Sequence, residues 1–529
     1  MKFSSMFKYS LILSTALTMG SCGAADKGAT EKKSADITRA LKVDVLDAGD
    51  FSSYFDVKSR KTPDDQARKA LVELGFEKSE TMDWGKMSGK DGTYQFQDLT
   101  HSFDEGRFTI ENLEIMGVHG EGSSASFDRI DIENAKITST DGGVFEIKTL
   151  SLAEPSADIA QAVLAGLTDM DFTKNRDEAL DVEKLKISDF GNFMMKDVKI
   201  LVEEGNANID FLAWGRDDTN LARFGLNGLQ AVISDDQDMT MNMTLDNISV
   251  DGLYLDYFEA LVNIESSVGG NPTDILSKVN FFEPYFKTYE VKGMEIDMAD
   301  LVFMAIPRMV GNVETSGKTS IMTQIMEPST FRLADNADDP DLVQAKAMLT
   351  AFGIDDIVMS SYARSRLDEE ADRINVEESY IKIDDLTQIS MDYDLSGLAG
   401  IFASDLTTDT AALEAFDNMK LSSMNISIED LSIVEKAFAG MSQLQGTTPQ
   451  LLKSQAKGML ALAGLAAQND AQREIVNSAS TALVEFIDNG GTLSIGVNPD
   501  TDLTMEDVLT LVQAPDNFES LGLTIETKP

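Results

Sequence analysis

The sequence predicts an α+β protein made mostly of antiparallel β-sheet repeats, in a long curved sheet with helical insertions and a C-terminal helical module. Three observations support this prediction. After residue 92, apolar and polar residues alternate in many short segments, which is the period of a strand with one buried face. Gly, Asn and Asp punctuate these segments, as in hairpins and meanders. Between residues 430 and 487 the apolar spacing changes to three and four, the helical period.

Residues 1–21 have the features of an export signal. Lys2 and Lys8 supply positive charge, residues 9–19 are apolar, and two small residues precede the expected cleavage point. The apolar stretch is shorter than the roughly 20 residues that span a bilayer. We therefore expect a cleaved signal and not a membrane-spanning helix.

The only cysteine, Cys22, follows this signal directly. The run Met19-Gly20-Ser21-Cys22 resembles the lipobox of bacterial lipoproteins. The resemblance implies cleavage before Cys22 and lipidation of Cys22 by a diacylglyceryl group and an acyl chain, and two or more chains hold a protein firmly on a bilayer. Gly23 stands where an Asp favours inner-membrane retention, which implies an outer-membrane anchor facing the periplasm. The alternative is an ordinary secretory signal with an incidental cysteine.

The rest of the chain divides into three predicted parts. Residues 22–61 hold the lipidated cysteine and a flexible tether, because residues 23–36 are small and polar. Residues 62–335 form an N-terminal β-rich region with short helices. Residues 336–529 form a C-terminal module of strands and helices.

Helices are expected where apolar residues recur at helical spacing between capping signals. The first begins after Pro63, has two acids in its first turn and ends at Gly75. Others are expected at 156–168, 272–278, 340–352 and 505–512, with three more between 430 and 488.

Strands are expected where apolar and polar residues alternate. These segments are 108–115, 127–132, 144–147, 198–202, 239–245, 248–250, 291–298, 374–383, 389–395, 424–428, 493–497 and 521–525.

Four strands share the phrase Asn, aliphatic, any residue, aliphatic, beginning at Asn112, Asn134, Asn247 and Asn425. With an envelope signal, these phrases resemble the AsmA-like and YdgA-like β-repeat proteins of Gram-negative envelopes. The resemblance implies a curved sheet that offers an apolar trough for lipid or acts as a spacer. A longer similarity between residues 221–226 and 349–354 predicts a diverged duplication. The alternative is chance similarity between alternating sequences.

Composition excludes several classes of function. The 529 residues carry 90 acids against 44 lysines and arginines, a net charge of −46, so we expect no nucleic-acid partner. One cysteine allows no internal disulfide and no thiolate metal scaffold. Two histidines, His101 and His119, each without a nearby second ligand, exclude most histidine-dependent catalysis.

The remaining motifs have structural interpretations. Gly311 and Gly317-Lys318-Thr319 imitate a phosphate-binding loop, but five residues separate the glycines instead of four, so we interpret the segment as a hairpin turn. Acid clusters at 235–238, 335–341 and 368–372 lack EF-hand spacing and are interpreted as solvated loops. The 26 methionines fit either an adaptable groove or a core with gap fillers.

These patterns predict a non-enzymatic cell-envelope lipoprotein without cofactor or metal. The first hypothesis is that a curved sheet binds a lipid, another amphiphile or an envelope protein. The second is a structural or assembly factor whose sheets are filled by their own side chains. The third is a carboxylate-based hydrolase of envelope polymers, with two acids about 5–10 Å apart.

Overall fold

The computed structural model describes residues 41–103, 106–161, 187–216, 221–234, 240–254, 286–298, 301–334, 340–398, 418–463, 470–504, 507 and 521–529. The predicted signal, Cys22, the helix at 272–278 and most of the helices at 156–168 and 505–512 lie outside these residues.

Contacts divide the chain into two compact units. Of the described residues, the N-terminal unit contains those from 44 to 254 and from 288 to 298, and the C-terminal unit contains residues 41–43, 286–287 and those from 301 onward. The strands on either side of the predicted boundary between residues 335 and 336 pair with each other, with Phe331 opposite Ile357.

The N-terminal unit is built on an antiparallel meander in which successive long strands are hydrogen-bonded neighbours. Its strands are β1 (Met82–Asp83), β2 (Lys86–Lys90), β3 (Thr93–Phe103), β4 (Gly106–Met116), β5 (Arg129–Ser139), β6 (Val144–Ala153), β7 (Asn192–Val202), β8 (Gly205–Arg216), β9 (Leu221–Ser234), β10 (Thr240–Tyr254) and β11 (Thr288–Met298). Both β1 and β2 pair with β3.

Within the described residues, two α-helices precede this sheet: α1 (Ala48–Phe51) and α2 (Asp64–Glu73). The helix α2 confirms the prediction after Pro63, and it buries Ala67, Ala70 and Leu71. Those side chains join the main core of the unit with apolar residues of β3, β4 and β5, including Tyr94 and Ile110.

At one level of this sheet, nine strands each contain a residue that has no cross-strand partner in the pairing register. We call this line of residues the crease. On alternate strands the crease residue has a positive φ of 50° to 65°. The buried side chains change phase there: Tyr94 and Phe96 are buried before it on β3, and Leu99 after it. The crease residues, from β3 to β11, are Asp98, Glu111, Asn134, Lys148, Asp197, Asp210, Gly228, Asp246 and Gly293.

The C-terminal unit contains a second antiparallel meander. Its strands are β12 (Val302–Ser316), β13 (Thr319–Leu333), β14 (Ile357–Asp368), β15 (Arg373–Ile383), β16 (Thr387–Ser396), β17 (Lys420–Asp430), β18 (Gly491–Val497), β19 (Leu503–Thr504) and β20 (Leu523–Lys528). The short β19 pairs with the first two residues of β17.

The described part of this second unit contains four helices: α3 (Pro340–Ala351), α4 (Ile433–Gln445), α5 (Pro449–Ala463) and α6 (Asp470–Asn489). Phe486 on α6 and Val434 on α4 form a core with Leu493 of β18. The predicted helices at 340–352 and between 430 and 488 are therefore confirmed, as is the fold class, a mostly antiparallel sheet with helices.

The predicted duplication is wrong. Phe224 and Gly225 lie inside strand β9, whereas Phe352 and Gly353 follow the last turn of helix α3. The two segments resemble each other because each places an aromatic residue before a glycine. The absence of a side chain at Gly225 allows side chains of other segments to pack there. Gly353 instead has a φ of +67° after the helix end.

Candidate functional site

Residues 44–57, which we call the arm, lie on the sheet of the N-terminal unit. Ser249 Oγ accepts a hydrogen bond from the backbone N of Leu46 at 2.9 Å, and Asn227 Nδ2 donates to the Leu46 carbonyl at 3.1 Å. Asn247 connects the two by donating to both Asn227 and Ser249. Since Asn247 and Ser249 are buried, this network satisfies polar groups that would otherwise destabilise the fold.

Aromatic residues of the arm lie where the sheet has glycines. Phe51 is fully buried and Phe55 nearly so, in a core with Phe211 and Ala213. A Cβ at Gly215 would lie 2.4 Å from Cδ2 of Tyr54. The absence of a side chain there allows the arm to approach the strands closely.

A second pair of anchors holds the end of the arm. Asn192 Nδ2 donates to the carbonyl of Tyr54 at 3.3 Å, and Arg129 donates to the carbonyl of Phe55. The predicted tether (residues 22–61) therefore overlaps a folded segment. Burial of two phenylalanines, together with hydrogen bonds from strand side chains to the backbone of the arm, explains why the arm packs on the sheet despite its many polar residues.

The N-terminal unit also has a groove of 710 Å³, which lies over the crease on strands β3 to β7. Its polar lining alternates in charge across the strands. Asn134 Nδ2 donates to Glu111 Oε2 at 2.5 Å, Lys148 Nζ lies 3.0 Å from Asp197 Oδ2, and Lys136 donates to Glu146 at 2.6 Å. Such cross-strand pairs stabilise a sheet face.

Glu146 of this groove is not suited to act as a general acid. The hydrogen bond from Lys136 holds the pKa of Glu146 below its usual range. A general acid at neutral pH needs a raised pKa. Both tryptophans, Trp84 and Trp214, are buried, so neither presents a ring on which a sugar could stack.

The two histidines lie in structural positions. His101 is buried on β3, opposite Met82 and Phe108. His119 Nδ1 lies 2.7 Å from the carbonyl of Gly117 and 3.9 Å from a carboxylate oxygen of Asp128. No group of three potential metal ligands is found within the residues that the structure describes.

The segment that imitates a phosphate-binding loop is a hairpin, as predicted. Ser316 and Thr319 pair directly, so Gly317 and Lys318 form a two-residue turn between β12 and β13. Gly317 has a φ of +64°, which favours glycine. Lys318 donates a hydrogen bond at 2.8 Å to Glu369, which belongs to the acid cluster at 368–372.

The methionines on the described strands divide between buried and half-buried positions. Met243, Met294 and Met326 are buried, whereas Met304 and Met322 are half-buried on strands of the C-terminal unit. An adaptable apolar groove in that unit stays a prediction.

The four Asn-led phrases share one interaction that the sequence did not indicate. Each asparagine donates its side-chain amide to a side chain on the neighbouring strand. Asn112 donates to Glu133 at 3.0 Å, in a reciprocal arrangement with the bond from Asn134 to Glu111. In the C-terminal unit Asn425 donates to Asp392 at 3.0 Å.

Comparisons with known proteins give little information on function. A family model described as "Uncharacterized protein" matches residues 380–528, from the end of β15 to β20. No curated protein matches the chain. Among the described helices, none is both long and apolar enough to span a bilayer.

Proposed function

We propose that this protein is a non-enzymatic lipoprotein of the cell envelope that acts as a structural scaffold. The observation that supports this proposal is the arm, which packs Leu46, Phe51 and Phe55 against the strands of the N-terminal unit. Side chains of the chain itself fill this apolar surface, so it offers no space there to an amphiphile. This favours the second hypothesis from the sequence over the first for the N-terminal unit.

The arm also connects the predicted anchor to the sheet. It follows the lipobox-like segment in the chain, and its backbone is bonded to side chains on β9 and β10 through Leu46. A force on an acylated Cys22 would therefore be transmitted to the sheet through hydrogen bonds between the backbone of Leu46 and the side chains of Ser249 and Asn227.

The charge suits a body held away from the bilayer by its anchor. Anionic lipid surfaces repel a chain of net charge −46, so the acyl chains act as the tether. We propose an outer-membrane location facing the periplasm, with an envelope protein as the partner and no nucleic acid.

The anchor is tested by replacing Cys22 with Ala. We expect the variant to lose metabolic palmitate labelling and to leave the membrane fraction or remain unprocessed, because no thiol is left to acylate. The control Ser21→Ala keeps a small residue before the cysteine and should label normally. Unchanged labelling of Cys22→Ala would remove the lipoprotein proposal.

A further inference from the structure

The groove over the crease presents two rows of polar side chains to solvent. The first row consists of the crease residues of β3 to β7. The members of the second row lie directly opposite one another on the same five strands: Thr100, Thr109, Lys136, Glu146 and Lys199. The apolar lining residues are buried: Leu99, Ile110, Ala135 and Ile147. Because the backbone groups of inner strands are paired within a sheet, a ligand here would contact side chains.

Most charged groups of this groove are bonded to one another. The three cross-strand bonds described above involve every charged lining residue except two. The exceptions are Asp98 on β3 and Lys199 on β7, which are exposed and form no ion pair within the described residues. Glu146 lies opposite Lys199, but it accepts its hydrogen bond from Lys136. One carboxylate and one ammonium group are therefore left to contact a ligand.

These two charges stand at opposite ends of the groove. Strands β3 to β7 are successive neighbours, so Asp98 and Lys199 are four strand spacings apart. With neighbouring strands about 4.7–4.9 Å apart, the separation across the sheet is about 19 Å. Asp98 can accept hydrogen bonds from a cationic group, and Lys199 can donate them to an anionic one. A ligand that contacts both must carry opposite charges about 19 Å apart.

A short extended peptide meets this requirement. An extended chain rises about 3.3 Å per residue, so six residues place about 20 Å between a terminal ammonium and a terminal carboxylate. A free amino acid or a zwitterionic lipid headgroup has its two charges only a few bonds apart, and could contact one end alone. The hydroxyl groups of Thr100 and Thr109 offer hydrogen bonds to peptide amides between the ends. We infer that the groove over the crease binds an extended peptide of about six residues, with its cationic end at Asp98 and its anionic end at Lys199.

This inference rests on the proposed scaffold role, in which the partner is an envelope protein, and it gives the chemistry of the segment that such a partner would present. Contacts to exposed charges contribute little free energy each and weaken as salt is added. The groove would therefore hold its partner reversibly.

The test is isothermal titration calorimetry at low ionic strength, with the chain from residue 23 onward and a hexapeptide of alternating serine and alanine. The hexapeptide is used with free ends, N-acetylated and C-amidated. We expect Asp98→Asn to weaken binding of the free and C-amidated peptides about fivefold and to leave the N-acetylated peptide unaffected. Lys199→Gln should weaken the free and N-acetylated peptides to a similar extent and leave the C-amidated peptide unaffected. Each variant is compared with the parent chain on the same peptide, so attraction of a cationic peptide to a chain of net charge −46 cancels.

The matched control is Lys90→Gln, which removes the same charge from an exposed lysine of β2 outside the groove and should bind all three peptides as the parent does. The fold should be retained, since all three positions are exposed and Asn tolerates the φ of +54° at residue 98. Absence of binding by the free hexapeptide would overturn the inference. So would a loss that a groove variant shows equally with all three peptides, or that Lys90→Gln shares. None of these outcomes depends on Cys22, so failure here is distinct from failure of the proposed anchor.

Discussion

Single residues determine how the strands of the N-terminal unit pass through the crease. Gly228 has a φ of +65°, and a Cβ there would lie 2.1 Å from Oδ2 and 2.4 Å from Cγ of Asp210. Gly293 has the same relation to Asp246, with a distance of 2.3 Å to Oδ2. At these two positions glycine satisfies both the backbone conformation and the space left by a carboxylate.

Replacing Gly228 with Ala should destabilise the protein by about 2–5 kcal/mol. Left-handed backbone costs a residue with a Cβ about 1–2 kcal/mol, and displacement of Asp210 adds about 1–3 kcal/mol. Urea denaturation measures the change. The matched control is Gly122→Ala, where φ is +57° and nothing lies within 4 Å, so only the backbone cost of about 1–2 kcal/mol applies. Equal losses in the two variants would contradict a steric role for Asp210.

Tyr94 gives the N-terminal unit a dependence on alkaline pH. Burial, with the hydrogen bond to Asp64, raises the pKa of Tyr94 from 10.0 to about 12. Because the folded pKa exceeds the unfolded one, this contribution to stability is complete below pH 10.0 and is lost as the pH rises towards about 12. Thermal melting between these pH values should show a falling midpoint, and Tyr94→Phe should fall less steeply. An identical pH profile for the variant would contradict this role.

At the scale of elements, the arm is the segment on which the proposed scaffold depends. Its helix α1 has a capping box in which Asp47 and Asp50 satisfy each other's backbone N–H groups. Four residues make too short a helix to be stable alone, so packing of Phe51 against Phe211 must hold it in place.

Replacing Phe51 with Ala should destabilise the N-terminal unit by about 3–5 kcal/mol, the cost of removing a buried phenyl ring. It should also expose the arm to limited proteolysis. Val45→Ala is the control within the arm, since Val45 is 49% exposed and its truncation should change stability by less than about 0.5 kcal/mol. A Phe51→Ala protein as stable and as resistant as the parent would show that the arm is not an integral part of the unit.

The sequence predicted those elements whose periodicity is uninterrupted. Strands β15 and β16 and the helices α2 to α6 were located to within a few residues, because their apolar spacing is regular. Strand β13 was missed because its apolar residues come in adjacent pairs, Ile321-Met322 and Ile325-Met326, so no alternation runs through it. The Asn-led phrases indicated that similar strands repeat, but the crease is visible only in the pairing register of those strands.

The candidate site was less predictable than the fold. Phe51 and Phe55 stand among Asp and Ser residues, which resembles a tether. Their burial depends on Phe211 and on the gaps at Gly215 and Gly225, more than 150 residues later in the chain. Such a contact leaves no periodic signal in a single sequence. The groove over the crease was missed for the same reason, since cross-strand pairs follow from the register.

At the scale of the whole molecule, the proposed role follows from the net charge and from sheet faces that the chain's own side chains cover. A net charge of −46 repels anionic surfaces, so attachment to a membrane needs an anchor. The predicted acyl group on Cys22 would provide that anchor, and it requires no ligand within the sheets.

Native mass spectrometry tests the central claim, that the chain fills its own sheets, most directly. The chain from residue 23 onward is purified without detergent, and its mass and its lipid extract are compared. We predict a mass equal to that of the polypeptide alone, because the arm and α2 occupy the apolar face of the N-terminal unit. A phospholipid or other amphiphile retained at a defined stoichiometry would contradict the scaffold and favour an amphiphile-binding sheet.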